Sequence, residues 1–128
     1  MGAFPAVKPD DEEIPPEAIA RIAHGAHCDL QVWLEDPCPA QPWDTLNPDQ
    51  REIVVNMVRL IQRGFPYEYV HQIWVDKMSS QGWTHGDAKD PYGKRHPCML
   101  PFSELSFWDQ QKVVLAFHVV QGVTSRGR

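Results

Sequence analysis

Prolines divide the 128-residue chain into segments that are each about the length of one helix. Proline lacks a backbone donor and clashes with the preceding turn, so it is tolerated at a helix start and ends a helix elsewhere. Between the prolines, apolar residues recur at intervals of three and four, which indicates amphipathic helices. The spacing predicts helices over about 16–35, 48–63, 66–80 and 107–121. We therefore expect a mostly α fold of four helices.

Three of the predicted helix ends carry specific signals. Asn47 followed by Gln50, and Ser106 followed by Asp109, have the spacing of a capping box, in which two side chains bond the free backbone N–H groups of a helix start. Gly122 is predicted to end the fourth helix, because glycine readily adopts the left-handed conformation that follows many helices.

A non-helical stretch from Trp83 to Leu105 separates the third and fourth helices. Asp90-Pro91-Tyr92-Gly93 has the composition of a tight turn, and residues compatible with strands lie on both sides of it. We expect a short β-hairpin here. The glycines at 82, 86 and 93 are expected to permit positive φ at turns.

The chain is expected to form one domain, because its length falls in the usual single-domain range of roughly 100–150 residues. Residues 1–14 are acidic and rich in proline and are expected to be a flexible arm. The domain is predicted over 15–122, and residues 123–128 are expected to be a loose tail.

Charge and composition exclude several classes of partner. The net charge of −5 gives no cationic surface of the kind that long nucleic acids require. No apolar run approaches the roughly 20 residues of a membrane span, and the N-terminus lacks the pattern of a signal peptide. Cys28, Cys38 and Cys98 are odd in number and are predicted to be thiols in a reducing compartment. A cytoplasmic location is therefore expected.

A faint internal repeat links the two connectors. Pro42-Trp43-Asp44-Thr45-Leu46-Asn47 and Pro101-Phe102-Ser103-Glu104-Leu105-Ser106 share the order proline, aromatic, two polar residues, leucine and helix cap, 59 residues apart. One interpretation is two helix–connector–helix units that face each other across a ligand cleft. The other is that both segments are simply good helix starts.

The second half of the chain resembles the ryanodine-receptor repeat domain, or RyR domain. The motifs in order are His71-Gln72-Ile73-Trp74, Gly82-Trp83-Thr84-His85-Gly86, Asp90, Lys94, His96-Pro97-Cys98 and Pro101-Phe102-Ser103-Glu104-Leu105. They place the repeat proper at about 66–121. The upstream part is similar to small stand-alone RyR-domain proteins of phages and bacteria, although Gly25, His27 and Cys28 depart from their pattern.

The resemblance implies a compact helical fold with a small hairpin, no catalytic activity and no cofactor. It also implies binding of an adenine-nucleotide-like small molecule. Stacking on Trp43 and Trp83 and charge from Lys94 or Arg95 would hold such a ligand. This hypothesis requires the two connectors to converge, and the first N–H groups of the fourth helix, near Ser106, are a further candidate for the phosphate.

Each candidate residue also has a structural interpretation. His71 and His96, the remaining candidates for ligand contact, are expected to bond the backbone of the turn, and Lys94 and Arg95 are expected to be solvated charges. Trp33 and Trp108 are expected to serve in packing or in an oligomer surface.

Three further classes of function were weighed. The alternative to ligand binding is a protein–protein interaction or self-associating accessory protein, with exposed aromatic residues as its interface. A zinc site is disfavoured because the histidines and cysteines lack a Cys-x-x-Cys pair. Catalysis is disfavoured because no nucleophile carries a local signature, so neither a catalytic residue nor a metal ligand is assigned.

Overall fold

The computed structural model describes residues 14–126, with side chains described up to Thr124. The expectations for residues 1–13 and for the last two residues lie outside this range. Four helices account for most of it: α1 (Pro16–Trp33), α2 (Pro48–Gln62), α3 (Tyr67–Ser80) and α4 (Phe107–Arg126). The mostly helical, four-helix fold that the apolar spacing predicts is confirmed.

The predicted capping box at the start of α2 is present in both directions. The Gln50 backbone N–H donates to Asn47 Oδ1 at 2.9 Å, and the Asn47 N–H donates to Gln50 Oε1 at 3.0 Å. At the start of α4, the Asp109 N–H donates to Ser106 Oγ at 3.2 Å. Side chains therefore satisfy helix-start donors that would otherwise lack a partner.

The fourth helix does not end at Gly122, where the sequence predicts its end, and residues 123–126 of the expected tail are helical. The physical reason is packing beyond the glycine. Val120 is 1% exposed and Val123 packs against the same core cluster. Thr124 Oγ1 also accepts a hydrogen bond from Gln62 Nε2 of α2 at 3.3 Å. These contacts outweigh the low helix propensity of glycine, which is about 1 kcal/mol relative to alanine.

Two short strands lie between α3 and α4, β1 (Thr84–His85) and β2 (Arg95–His96), and they pair in parallel. The expected turn forms as well: Asp90 Oδ1 accepts from the N–H groups of Tyr92 and Gly93, each at 3.1 Å. That turn closes on an antiparallel bridge between Asp90 and Arg95. The chain therefore makes its tight return four residues after β1 ends, and β2 then runs in the same direction as β1 instead of forming a simple hairpin.

Only one of the three glycines in this region has the positive φ expected for all of them. Gly82 has φ +92°, whereas Gly86 and Gly93 do not adopt positive φ. A Cβ on Gly86 would lie 2.8 Å from Arg95 Cβ, and one on Gly93 would lie 2.5 Å from Asp90 Oδ2. These two glycines permit close approach of neighbouring chain segments, which sequence alone does not distinguish from a need for positive φ.

The hydrophobic core lies where α1, α2 and α4 meet, with α3 packed against its edge. Its buried members are Ile19, Ala20, Ala23, Trp43, Val55, Val58, Ile61, Val70 and Val120. α1 packs mainly against α4, and α2 lies beside both. None of the helices in residues 14–126 is both long and apolar enough to cross a membrane.

The two connectors adopt the same structure, which supports the repeat interpretation. Each contains one 3-10 turn, Trp43–Thr45 in the first and Phe102–Glu104 in the second. The preceding prolines, Pro42 and Pro101, have nearly equal dihedral angles, with φ −55° in both and ψ 150° and 148°. The aromatic carbonyl of each turn accepts a side-chain hydrogen bond from the residue eight positions later.

The helix before each connector is tied to it in the same way. His24 Nε2 of α1 bonds the Gln41 carbonyl at 2.6 Å, and His71 Nε2 of α3 bonds the Leu100 carbonyl at 2.8 Å. Each bonded carbonyl belongs to the residue just before the proline of its connector. The chain is thus built from two equivalent units, α1–connector–α2 and α3–connector–α4.

The second unit contains an insertion that the first lacks. The histidine and its bonded carbonyl are separated by 17 residues in the first unit and by 29 in the second, so the second connector is longer by 12 residues. α1 and α3 both end in a residue of positive φ, Glu35 and Gly82, each 11 residues after the histidine. The additional residues therefore lie after Gly82. We call Trp83–His96 the inserted segment.

Candidate functional site

Trp43, a candidate for ligand stacking, is a core residue in this structure. Its side chain is 6% exposed and belongs to the main hydrophobic cluster. The His24 ring lies edge-on to it at 5.9 Å between centroids, and the Arg51 guanidinium carbon lies 5.5 Å from its ring centre. A base could stack on this indole only if the core opened. This corrects the assignment of Trp43 to a ligand site.

The inserted segment holds the other four exposed or half-buried candidates. Trp83 is half-buried, and its ring contacts His96 at 6.3 Å between centroids. The opposite neighbour of His96 is Trp74 of α3, at 5.1 Å. Within residues 14–124, no ring contact joins Trp83 to Trp43, so the expected pairing of the two indoles is absent from the described aromatic contacts.

His96 is held as a neutral ring with a defined tautomer. The Cys98 backbone N–H donates to His96 Nδ1 at 3.0 Å, so the ring proton lies on Nε2. Burial, and then the positive charge of Lys89, lower the pKa of His96 to about 4. Nε2–H makes no hydrogen bond with the described part of the chain. It is therefore an available neutral donor beside the Trp83 ring.

The two cations of the inserted segment differ in their freedom. Lys94 Nζ donates to the Gln81 carbonyl at the end of α3, at 2.7 Å. Arg95 is exposed, and the aliphatic part of its side chain lies against Gly86. Among the described residues the Arg95 guanidinium has no ion pair and no side-chain hydrogen bond. Arg95 is the freer of the two to contact a ligand anion.

His71 has the structural role that was weighed against ligand contact. Its ring is 4% exposed, and Nε2 bonds the Leu100 carbonyl as described above. Burial lowers the pKa of His71, and its bonds to the backbone at Leu100 and Cys98 offset part of this effect. His71 therefore positions the second connector and is too buried to contact a ligand in this conformation.

The start of α4 is a poor anion site in this structure, although its N–H groups are a sequence-based candidate for phosphate. The Asp109 N–H is already bonded to Ser106 Oγ. The Asp109 carboxylate itself lies in the first turn and would repel an anion.

A half-buried ion-pair group lies beside this helix start. Lys112 Nζ is 3.4 Å from Asp36 Oδ2 and 3.1 Å from Asp109 Oδ1. Burial acts to lower the pKa of Lys112, but the contact with Asp109 and the charge of Asp36 outweigh it and raise the pKa. Burial and then the Asp109 charge raise the pKa of Cys98 to about 12, so this thiol stays protonated.

Sequence reasoning did not single out His27 and Lys89. Burial, and then the charges of His24, Lys112 and Lys89, lower the pKa of His27 to about 4. The spacing of His24, His27 and Cys28 along α1 is the signal that could have placed them on one helix face. In the part of the chain that the structure describes, no three His, Cys, Asp or Glu side chains are grouped as metal ligands would be.

The comparison with protein families agrees with the motifs of the inserted segment. A family model described as the RyR domain matches residues 41–115. The match begins upstream of residue 66, where the motifs place the repeat proper, and it includes the first connector and α2. It also spans α3, the whole inserted segment and the first half of α4, which together are more than half of the chain. The chain therefore belongs to the RyR domain family.

Proposed function

We propose that this chain is a non-catalytic binding module that captures a small molecule with an aromatic base and an anionic group, as in an adenine nucleotide. The proposed site is the exposed face of the inserted segment. Trp83 stacks on the base, His96 Nε2–H donates a hydrogen bond to it, and Arg95 contacts the anion. Lys94 contributes charge nearby.

The insertion itself is the observation that carries this proposal. The first unit joins its two helices through an equivalent 3-10 turn without these additional 12 residues. The fold of such a unit therefore does not require the inserted segment. Residues placed on a rigid scaffold without a structural need are typical of binding loops.

The chemistry of the segment suits such a ligand. Stacking of a base on an aromatic side chain contributes about 1–3 kcal/mol. A guanidinium presents several N–H donors in a planar arrangement that fits phosphate oxygens. The neutral His96 ring adds a directed donor, so the site combines stacking, shape and charge over a short length of chain.

Several observations support a module without catalytic activity and a cytoplasmic setting, which would be the host cytoplasm for a phage-encoded protein. Cys98 has a pKa of about 12 and is a poor nucleophile. His71 is committed to the backbone of the connector. All three cysteines are free thiols, as is usual in reducing compartments.

Calorimetric titration of the full chain with AMP, ADP, ATP, cyclic AMP and ADP-ribose tests the ligand proposal. We expect at least one of these to bind, and we expect Trp83→Ala or Arg95→Ala to weaken that binding about tenfold or more. Tyr92→Ala is the matched control, because Tyr92 is a fully exposed aromatic residue on the same segment. No binding by any probe, or binding that survives Trp83→Ala unchanged, would refute the proposal.

A second candidate function is protein interaction, including self-association. The observation that favours it is a surface of exposed aromatic residues at the opposite functional pole, formed by Trp33, Phe107 and Trp108. Sedimentation velocity over a range of concentrations measures self-association directly. The partner that this surface fits is argued next.

A further inference from the structure

The end of α1 and the start of α4 together form an exposed apolar surface, which we call the aromatic surface. Its members are Val32, Trp33, Phe107 and Trp108, which are 66%, 71%, 63% and 47% exposed. The Trp33 and Trp108 rings meet edge to face at 5.9 Å between centroids, and Phe107 and Trp108 meet at 5.1 Å. The four side chains are thus one continuous surface and not scattered positions.

The fold does not require these residues, because the equivalent unit lacks them. At the matching positions of α3 and α2, the other unit has Ser79, Ser80, Pro48 and Asp49. All four are exposed. Two units with the same connector geometry therefore fold with polar side chains at one end and with aromatic side chains at the other. A role in folding does not explain the aromatic surface.

The size of the surface fits a partner segment. Aromatic side chains have areas of about 150–250 Å² each, so the exposed part of this surface is on the order of 400 Å². A typical stable interface between two whole domains needs about 800 Å² from each partner. The surface is therefore the right size for the apolar face of one docked helix, with tryptophans as the dominant contacts.

The charges around the surface are negative. Asp29 lies one helical turn before Trp33, and Glu35 lies two residues after it. Both are exposed, and neither forms an ion pair within the described residues. Lys112, at 13% side-chain exposure, is already shared between Asp36 and Asp109. The nearest additional cation, Lys89, lies near Asp36 on the side of the inserted segment.

We propose that the aromatic surface docks a basic amphipathic helix of another protein. The apolar face of that helix covers Trp33, Phe107 and Trp108, and its flanking lysines or arginines lie near Asp29 and Glu35. A second copy of this chain fits less well, because its own acidic rim would meet the same carboxylates. This inference rests on the second candidate function and is independent of the ligand site at Trp83.

The test uses two designed 18-residue amphipathic peptides, one of leucine and lysine and one of leucine and glutamate. Titrations into the full chain are followed by the indole N–H resonances of its tryptophans. We expect the lysine peptide to bind and to shift the resonances of Trp33 and Trp108, while that of the buried Trp43 stays in place. We expect the glutamate peptide not to bind, and added salt to weaken the lysine complex.

Variants separate this surface from general stickiness. Trp33→Ala combined with Trp108→Ala should weaken the lysine peptide at least tenfold. The matched control is Phe65→Ala with Tyr69→Ala, because these rings are also exposed and also in contact, at 4.9 Å, but lie elsewhere. That control should bind as the parent chain does. Asp29→Lys with Glu35→Lys should weaken binding while leaving the aromatic residues and the core unchanged.

Four outcomes would overturn the proposal. They are no binding of the lysine peptide at millimolar concentration, equal binding of both peptides, binding that survives the double tryptophan variant, and self-association that this variant abolishes. The last result would identify a second copy as the occupant and would leave the interaction function intact. None of these outcomes affects the nucleotide titrations, so the two proposals fail separately.

Discussion

Lys112 lies between two carboxylates, and its position shows how burial decides the value of an ion pair. Lys112→Met would leave Asp36 and Asp109 without their shared cation, at sites where the side chains are 19% exposed. Removing one partner of such a group leaves uncompensated charge, so we expect the free energy of unfolding to fall by about 2 kcal/mol or more. Urea unfolding monitored by circular dichroism measures the change.

The control for this prediction is an exposed pair in the same chain. Arg59 and Glu52 are 3.4 Å apart, with side chains 50% and 68% exposed. Solvent screens such a pair, so Arg59→Met should change the free energy of unfolding by less than about 0.5 kcal/mol. Equal losses in the two variants would contradict the assignment of Lys112 to a buried ion-pair group.

At the scale of the element, α4 offers a test of how far its helix extends. A Cβ added at Gly122 would meet no atom within 4 Å, and the residue does not have positive φ. Because glycine inside a helix is less favourable than alanine by about 0.5–1 kcal/mol, Gly122→Ala should stabilise the protein by up to that amount. Thermal unfolding of the variant and the parent chain measures the difference.

Gly64 is the matched control, because it follows α2 with φ +93°. Alanine there would be strained, so Gly64→Ala should destabilise the protein by about 1 kcal/mol. If Gly122→Ala also destabilises it by a similar amount, then α4 ends at Gly122, as the sequence pattern predicts, and the helical assignment of residues 123–126 is wrong.

Local signals predicted the helices well because they act within a few residues. The capping box of Asn47 and Gln50 is an interaction between near neighbours, and both of its hydrogen bonds form. The end of α4 depends instead on Val123 and Thr124 packing against other helices. Gly122 has the same local signal as Gly64, so no local pattern distinguishes a helix stop from a helix interior.

The candidate site was predicted in part for the same reason. The turn at Asp90 and the backbone bond of His71 follow from local sequence and motif, and both are present. The burial of Trp43 depends on how α1 and α2 close over the first connector, which no short pattern records. Convergence of Trp43 and Trp83 likewise required a three-dimensional arrangement that the repeat pattern alone does not specify.

For the whole molecule, the two units have diverged at opposite functions while keeping one scaffold. The second unit carries the inserted segment, and the aromatic surface joins the end of the first unit to the second helix of the other. His27 of α1 and His96 of the inserted segment lie close enough for their charges to interact. Protonation at this junction therefore affects contacts between the units, which makes the stability of the whole fold dependent on pH.

Acid should destabilise the protein between about pH 6.5 and pH 4. The pKa of His27 and of His96 is about 4 in the folded chain, against an ordinary value of 6.5. The unfolded chain thus binds protons that the folded chain does not, and falling pH favours unfolding. Their contribution is complete above about pH 6.5 and is lost towards pH 4. At about 1.4 kcal/mol per pKa unit, the combined loss is on the order of a few kcal/mol.

Other groups act outside this window or in the same direction. The lowered pKa of His71 adds to the effect. Burial acts to raise the pKa of Asp36, but the Cys38 N–H and the Lys112 charge outweigh it, so the pKa of Asp36 lies below its ordinary 3.8. Its contribution is therefore lost only in stronger acid. The raised pKa of Lys112 matters only in strong base, above its ordinary 10.5.

Urea unfolding at pH 7, 6, 5 and 4 measures this dependence. His27→Gln and His96→Asn should each flatten the fall in unfolding free energy between pH 6.5 and pH 4, because the unfolded variant has one fewer histidine to protonate. In His96→Asn the amide oxygen can still accept the Cys98 N–H, as Asp36 accepts that of Cys38 in the other unit. His85→Gln, at an exposed position, is the control and should follow the parent curve. Parallel curves for all three variants and the parent chain would show that neither buried histidine controls the acid stability of the fold.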